Sequence, residues 1–325
     1  MPRPARPIRF YVTAHSGVIE IGRALQREGV VRNAYAFAMT AKVDGKASEL
    51  KAGHYRFSGE LALDRVIDRL VEGPNDLDAD RTRVTIPEGF TIAQIDRLFA
   101  EKGVMDAGQF QKFATDPTAI AGLNTDFTLP RASLEGYLFP DTYGFLPHSS
   151  PTQIVEQMLV NFGRRFYRPY QSEIDTAPGG LAALVIKASL IEREAREEAD
   201  RPRIAGVLEN RLRKHTKLQI DATVLYGIEH KSRIMDKDLK RKSPYNTYLH
   251  AGLPPGPIAN PGISSLLAAL HPEKNDYLFY VARPSGFHIF TRTFAEHEAA
   301  VRQARDEWKG SSKTSGANRT GGATR

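Results

Sequence analysis

The sequence predicts an α+β fold: small strand/helix units, then a mixed helical domain that carries a β-hairpin. Three observations point there. Residues 19–105 alternate short amphipathic helical stripes with short strand-like runs. Residues 150–272 hold further helical stripes separated by Pro and Gly breaks. Near the C-terminus, "DYLFYVAR" (276–283) and "FHIFTR" (287–292) flank a Pro-Ser-Gly turn, the pattern of a hairpin.

The elements follow in order. "IEIGRALQREGVV" (19–31) and "AQIDRLFAEKGVM" (93–105) form a faint repeat at an offset of 74 residues. Ile21 matches Ile95, Leu25 matches Phe99, Gly29 matches Gly103 and Val30 matches Val104. Each reads as a short helix stopped by glycine. "LALDRVIDRLVEG" (61–73) has the same stripe and the same stop. "GHYRFSG" (53–59) and "TRVTIPEG" (82–89) read as strands, and 72–81 as a linker. The aromatic, proline-punctuated "TLPRASLEGYLFPDTYGFLP" (128–147) reads as an ordered loop. After it come helices at 150–171, with Ser150 as N-cap and Pro151 at the first position, from 181 onward after a Pro-Gly-Gly break, at 203–215 and at 264–272. The expected domains are 1–128 (with a sub-boundary near 72–81), 129–308, and a disordered basic tail at 309–325.

Composition narrows function. The chain has 325 residues, 41% hydrophobic and 26% charged, enough for two or three domains. With no cysteine, disulfides, thiolate catalysis and Cys-bound zinc are excluded. No apolar run reaches the roughly 18 residues that span a bilayer, and the start "MPRPARPIRFYVTAHSG" has no signal-peptide core. The net charge of +7 suits an anionic polymer or a membrane surface, but no dense Lys/Arg block is present, so no nucleic-acid partner is expected. His215, His230, His250, His271, His288 and His297 are scattered without metal-ligand spacing; His288 in the hairpin is a candidate to face a cleft, although a lone His in a strand is more often a satisfied core or surface residue. There is no phosphate loop, dinucleotide fingerprint or GxSxG elbow, and no cofactor or metal is expected.

Three segments carry candidate chemistry. "LAALVIKASLI" (181–191) is a long apolar run that ends in Glu192 and Glu194. At about 100° per residue, Glu192 falls inside the apolar stripe and Glu194 on its flank. A carboxyl in dry surroundings holds its proton to higher pH, as a general acid must. The alternative is that one of the pair bonds Arg193, Arg196 or a backbone group and does no chemistry. "ENRLRKHTKLQIDATVLYG" (209–227) displays Asn210, Arg211, Gln219, Asp221, Thr223 and Tyr226, directional groups of the kind that read sugars. They equally suit helix caps, turns and salt bridges. "SPYNTYLHAGLPPGPIANPG" (243–262) is a proline-stiffened loop whose tip shows Tyr245, Asn246 and Tyr248, an aromatic–amide–aromatic display for a sugar ring. A rigid cover over the core explains the prolines but not so polar a tip.

These segments, with "ALHPEKNDYLFYVAR", "HIFTRTFAEH", "GHYRF" and "LEGYLFPDTY", resemble in order and spacing the bacterial endolytic murein transglycosylase (YceG-like) family, over roughly residues 17–301. The resemblance implies a lytic transglycosylase that cuts peptidoglycan glycan strands internally and leaves 1,6-anhydroMurNAc ends. It implies LysM-like units before the catalytic domain. It implies Glu194 as general acid/base, with Glu192 as a supporting or rival residue. Asn210, Arg211, Gln219, Asp221, Tyr226, Tyr245, Asn246 and Tyr248 are then the candidates for binding substrate. Lytic transglycosylases generally place Ser or Thr after the catalytic glutamate; Ala195 stands here and removes one hydroxyl partner. The resemblance further implies an inner-membrane protein facing the periplasm, held by a helix ahead of Met1, with cell-wall synthases among its partner classes. Two other readings stand beside it: a catalytically weak peptidoglycan-binding scaffold, and a water-using muramidase with Asp221 as second carboxylate.

Overall fold

The computed structural model describes residues 8–12, 16–57, 62–75, 81–145, 149–228 and 234–317, with side chains for all of these except Arg9, Asp236 and residues 311–317. The core of the expected linker (76–80), His230 and the tail beyond 317 lie outside the described residues. The chain divides into two compact units, one of residues 1–83 and 144–147, the other of residues 84–143 and 148–325.

In the first unit, β1 (Ile8–Val12) pairs antiparallel with β2 (Gly53–Phe57), Ile8 opposite Phe57 and Val12 opposite Gly53. Sequence patterning does not mark β1, because five residues beside a proline-broken start give too few alternations. The helices are α1 (Val18–Arg27), α2 (Ala34–Val43) and α3 (Leu63–Glu72). Asn33 caps α2 by accepting from the N–H groups of Tyr35 and Ala36. Phe10, Leu25, Phe37, Tyr55, Phe57, Ile67 and Leu70 form one core with the sheet.

β3 (Thr82–Thr85) pairs with β4 (Thr142–Phe145). In the second unit, α4 (Ile92–Glu101) starts at a Thr91/Gln94 capping box. The repeat noted in the sequence is a repeat of helix ends. Val30 N–H reaches back to Leu25 O in α1, and Val104 N–H to Phe99 O in α4. Gly29 and Gly103 both adopt left-handed backbone, with φ of 74° and 65°.

α5 (Gln109–Ala114) and α6 (Pro117–Ala121) follow, and buried Asp96 accepts the N–H groups of Gly108 and Gln111. α7 (Pro151–Phe162) begins with the expected Ser150 cap. It does not continue as α-helix to 171. A π-turn (Gly163–Tyr167) and a 3₁₀ turn (Arg168–Tyr170) intervene before α8 (Gln171–Thr176). Pro169 has no N–H to continue the ladder.

α9 (Gly180–Glu194) is the centre of this unit. Its Leu184, Val185, Ala188, Leu190 and Ile191 are buried, together with Ile204, Val207 and Leu208 of α10 (Arg201–Arg213) and Leu266 of α13 (Ile263–Leu270). Lys187, the one charge in the apolar run, bonds Glu209 of α10 at 2.5 Å. Gly136 lets a loop press onto α9: a Cβ there would lie 2.6 Å from Val185 and from Pro257. α11 (Asp221–Leu225) and α12 (Asp236–Leu239) precede α13. The expected hairpin is β5 (Phe279–Ala282) and β6 (His288–Thr291), with Ala282 opposite His288. α14 (Phe294–Ala317) closes the unit. It extends eight residues past 309, where the sequence suggested a disordered tail; each residue added to an existing helix gains a hydrogen bond at little nucleation cost. Among the described residues no single helix is long and apolar enough to cross a membrane.

Candidate active site

α9 ends at the candidate carboxyl. Glu194 is its last residue, and Ala195 turns to extended backbone. The turn points the chain into a cleft of about 570 Å³ in the second unit. Glu194, Asp221, Gln219, Arg211 and Tyr248 line it, together with Arg193, Arg196, Phe279, Tyr280, His288 and His297. Five elements therefore converge on one hollow: the end of α9, the stretch from α10 to α11, the loop that carries Tyr248, the hairpin, and α14.

Burial raises the Glu194 carboxyl to about 7, and the nearby charge of Asp221 pushes the same way. Two groups oppose this. The Tyr280 hydroxyl donates to Glu194 Oε2 at 3.1 Å, and Arg193 adds a positive charge. The outcome is a carboxyl that exchanges its proton near neutrality. Asp221 Oδ1 accepts from the Tyr248 hydroxyl at 2.6 Å. Burial and Asp221 hold that phenol well above its ordinary value, so it stays a donor. Gln219 has a φ of 54°, rare for a residue with a side chain. Its N–H is held by Thr247 O, and its Oε1 accepts from Arg211 at 3.3 Å.

Glu192, two residues earlier, does not line this cleft. Its side chain is only 6% exposed, as the apolar stripe predicts. There it meets Arg201 at 3.4 Å and accepts the Gly262 N–H at 2.9 Å. It serves as a strut between α9, α10 and the start of α13.

Of the other sequence candidates, the cleft brings together Arg211, Gln219, Asp221 and Tyr248. Arg211 does not salt-bridge Glu209 or Asp221. It donates to the carbonyls of Lys217, Leu218 and Leu278, and its guanidinium lies 5.0 Å from the Phe279 ring centre. Asn210, Tyr226, Tyr245 and Asn246 are placed in the scaffold. Asn210 is buried and donates to Asn275 and Tyr277 carbonyls, which anchors the lead into the hairpin. Asn246 is fully buried, with Nδ2 on Leu239 O and Arg241 O. Tyr226 donates to Glu135 and packs 4.7 Å from Tyr245. Polar side chains that read as sugar ligands thus tie loops, because buried backbone carbonyls need donors.

Three residues went unmarked in the sequence. Tyr280 sits on β5, and its signal is a hydroxyl-bearing aromatic in an otherwise apolar strand. Asp200, 1% exposed, bonds both His288 N–H (2.7 Å) and its Nδ1 (2.9 Å), and only the fold brings those two together. Glu135 is 4% exposed and accepts from Ile92 N–H, Asn260 Nδ2 and Tyr226 OH. Burial raises its carboxyl to about 8.

A family model described as the YceG-like family matches residues 10–303. A protein of Bacillus subtilis named endolytic murein transglycosylase is 36% identical, over 90% of this chain and 83% of its own. One of the same name from Streptococcus pneumoniae is 31% identical over 82% of this chain, which spans about half (52%) of that longer protein. The crystal structure of a putative yceG-like protein from Listeria monocytogenes superposes with a TM-score of 0.62 at 35% identity, over 90% of this chain and 99% of that one. The match runs through both compact units, from β1 into α14, and on it the chain belongs to the YceG-like family.

Proposed function

We infer that the protein is an endolytic peptidoglycan lytic transglycosylase. The observation that carries this reading is Glu194, a carboxyl held near pH 7 by burial and by Asp221 on the wall of an open cleft. The names of its relatives support the substrate.

One carboxyl suffices for the chemistry. Protonated Glu194 gives its proton to the oxygen that links MurNAc C1 to GlcNAc, and the C1–O bond breaks. The oxocarbenium-like centre left at C1 is stabilised by the sugar's own N-acetyl oxygen. Ionised Glu194 then takes the proton of the C6 hydroxyl of the same MurNAc, and that oxygen closes on C1. The product is a 1,6-anhydro end, with no water consumed. The attack is intramolecular, which lowers its entropic cost. In this assignment Asp221, Gln219, Arg211 and Tyr248 hold the strand. Glu192 supports α9, and Asn210, Tyr226, Tyr245 and Asn246 shape the surrounding loops.

The enzyme acts outside the cytoplasm, where its substrate lies. The finer picture is a periplasmic catalytic unit tethered to the inner membrane, with LysM-like strand/helix units ahead of it and cell-wall synthases as partners. Fractionation and cross-linking of the natural protein in cells test that picture. The activity itself is tested by digesting purified sacculi. Glu194→Gln keeps the shape and loses the proton, so release of anhydro-muropeptides falls about 10²–10⁴-fold. Release at the parental rate discards the assignment. Reducing MurNAc ends, heavier by one water, identify a muramidase instead.

A further inference from the structure

Taking Glu194 as the acid proposed above, we propose that Tyr280 is the positioning residue that decides which oxygen of Glu194 carries the transferred proton. Its hydroxyl donates to Oε2 at 3.1 Å. An oxygen that accepts this bond is the carbonyl oxygen of the neutral acid, which leaves the proton on Oε1. When Glu194 gives that proton up, Oε2 gains charge and the bond from Tyr280 strengthens. The bond is therefore worth more at the transition state than before it, which is the condition for lowering the barrier.

The surroundings hold the phenol in one place and one state. The Tyr280 hydroxyl is kept protonated by burial and by Glu194 itself. The ring is packed edge-on against His288, with centroids 5.4 Å apart and planes at 89°. His288 is immobilised by Asp200, which holds its backbone N–H at 2.7 Å and its Nδ1 at 2.9 Å. Both side chains are nearly dry, at 2% and 1% exposed. Arg211 bonds Leu278 O and lies over Phe279, so the two residues before Tyr280 are fixed to α10. The Asp200–His288 pair and Arg211 make a rigid frame for a single hydroxyl.

The test reads rate against pH for anhydro-end release from sacculi. The other charged or titratable groups around Glu194 are Asp221 on α11, Arg193 and Arg196 at the end of α9, Arg211 on α10, Tyr248, His288 and His297. All stay in place when only the phenol changes, so the shift reports the Tyr280 bond. In Tyr280→Phe, kcat falls roughly 10–100-fold with KM nearly unchanged. The alkaline limb moves to higher pH, because the bond favours the ionised form. A chain carrying 3-fluorotyrosine at position 280 keeps the ring and makes the hydroxyl a stronger donor. Its limb moves to lower pH.

Opposite movements of the two variants support the inference. A Tyr280→Phe enzyme of parental kcat, or limbs unmoved in both, overturn it. If Tyr280→Phe does not fold, the fluorinated chain decides alone. Glu194→Gln in the same assay separates the two levels. Parental activity there overturns the transglycosylase assignment. A dead Glu194→Gln with unmoved limbs in the tyrosine variants overturns only the role of Tyr280.

Discussion

Arg201 Nη2 lies 3.4 Å from Glu192 Oε1, while Glu192 Oε2 accepts the Gly262 N–H at 2.9 Å. The first glutamate of the pair is thus a structural tie. In Glu192→Gln, denaturant unfolding shows a loss of about 1–3 kcal/mol, while activity per folded molecule stays near parental. Glu194→Gln shows the reverse, an intact melting curve and a lost reaction.

Asp221 and Tyr280 pull Glu194 in opposite directions. A general acid acts while protonated, so with its carboxyl raised to about 7, activity declines as pH rises through that value. Asp221→Asn removes the charge that holds the proton on. The alkaline limb then moves to lower pH, opposite in sign to Tyr280→Phe, and a pH–rate profile of the variant checks it.

Glu135 makes a separate prediction about stability. Its carboxyl is raised to about 8 when folded, against an ordinary value of 4.5. Between those values the folded chain binds a proton that the unfolded chain has released. Stability therefore falls as pH rises across that window and levels off above it. Glu135→Gln has no proton to lose, so its melting temperature varies less over the window than that of the parent. Thermal scans of both proteins at stepped pH read the difference.

Asn260 is the amide on which three loops meet. Its Oδ1 accepts Gly136 N–H at 2.8 Å and Leu138 N–H at 3.0 Å, and its Nδ2 donates to Phe90 O and Glu135. Asn260→Ala leaves two buried N–H groups unpaired. Urea unfolding registers a loss of about 3–5 kcal/mol, because each orphaned donor costs ~1–3 kcal/mol.

Much of this was legible in the chain. The stripe of α9, the cap at Ser150, the hairpin at Pro-Ser-Gly and the glycine-stopped helices are local, and local rules read them. The apolar run also marked where a carboxyl with a raised pKa would sit. What stayed hidden is long-range. Periodicity ranked Glu192 as dry but gave no sign of Arg201 or Gly262, which turn that dryness into a salt link. Asn210, Asn246 and Tyr226 have the chemistry of sugar ligands, and only the paths of loops 239–241 and 275–277, with Glu135, show their donors committed to the frame. Tyr280 and Glu194 are 86 residues apart, beyond the reach of any spacing rule.

The twin closures at Gly29 and Gly103 fall in different compact units and end helices with different neighbours. The likeness between segments 74 residues apart is then a shared answer to one stereochemical problem, how to halt a right-handed coil beside a wall of hydrocarbon. Gene duplication need not have occurred for the two stretches to look related.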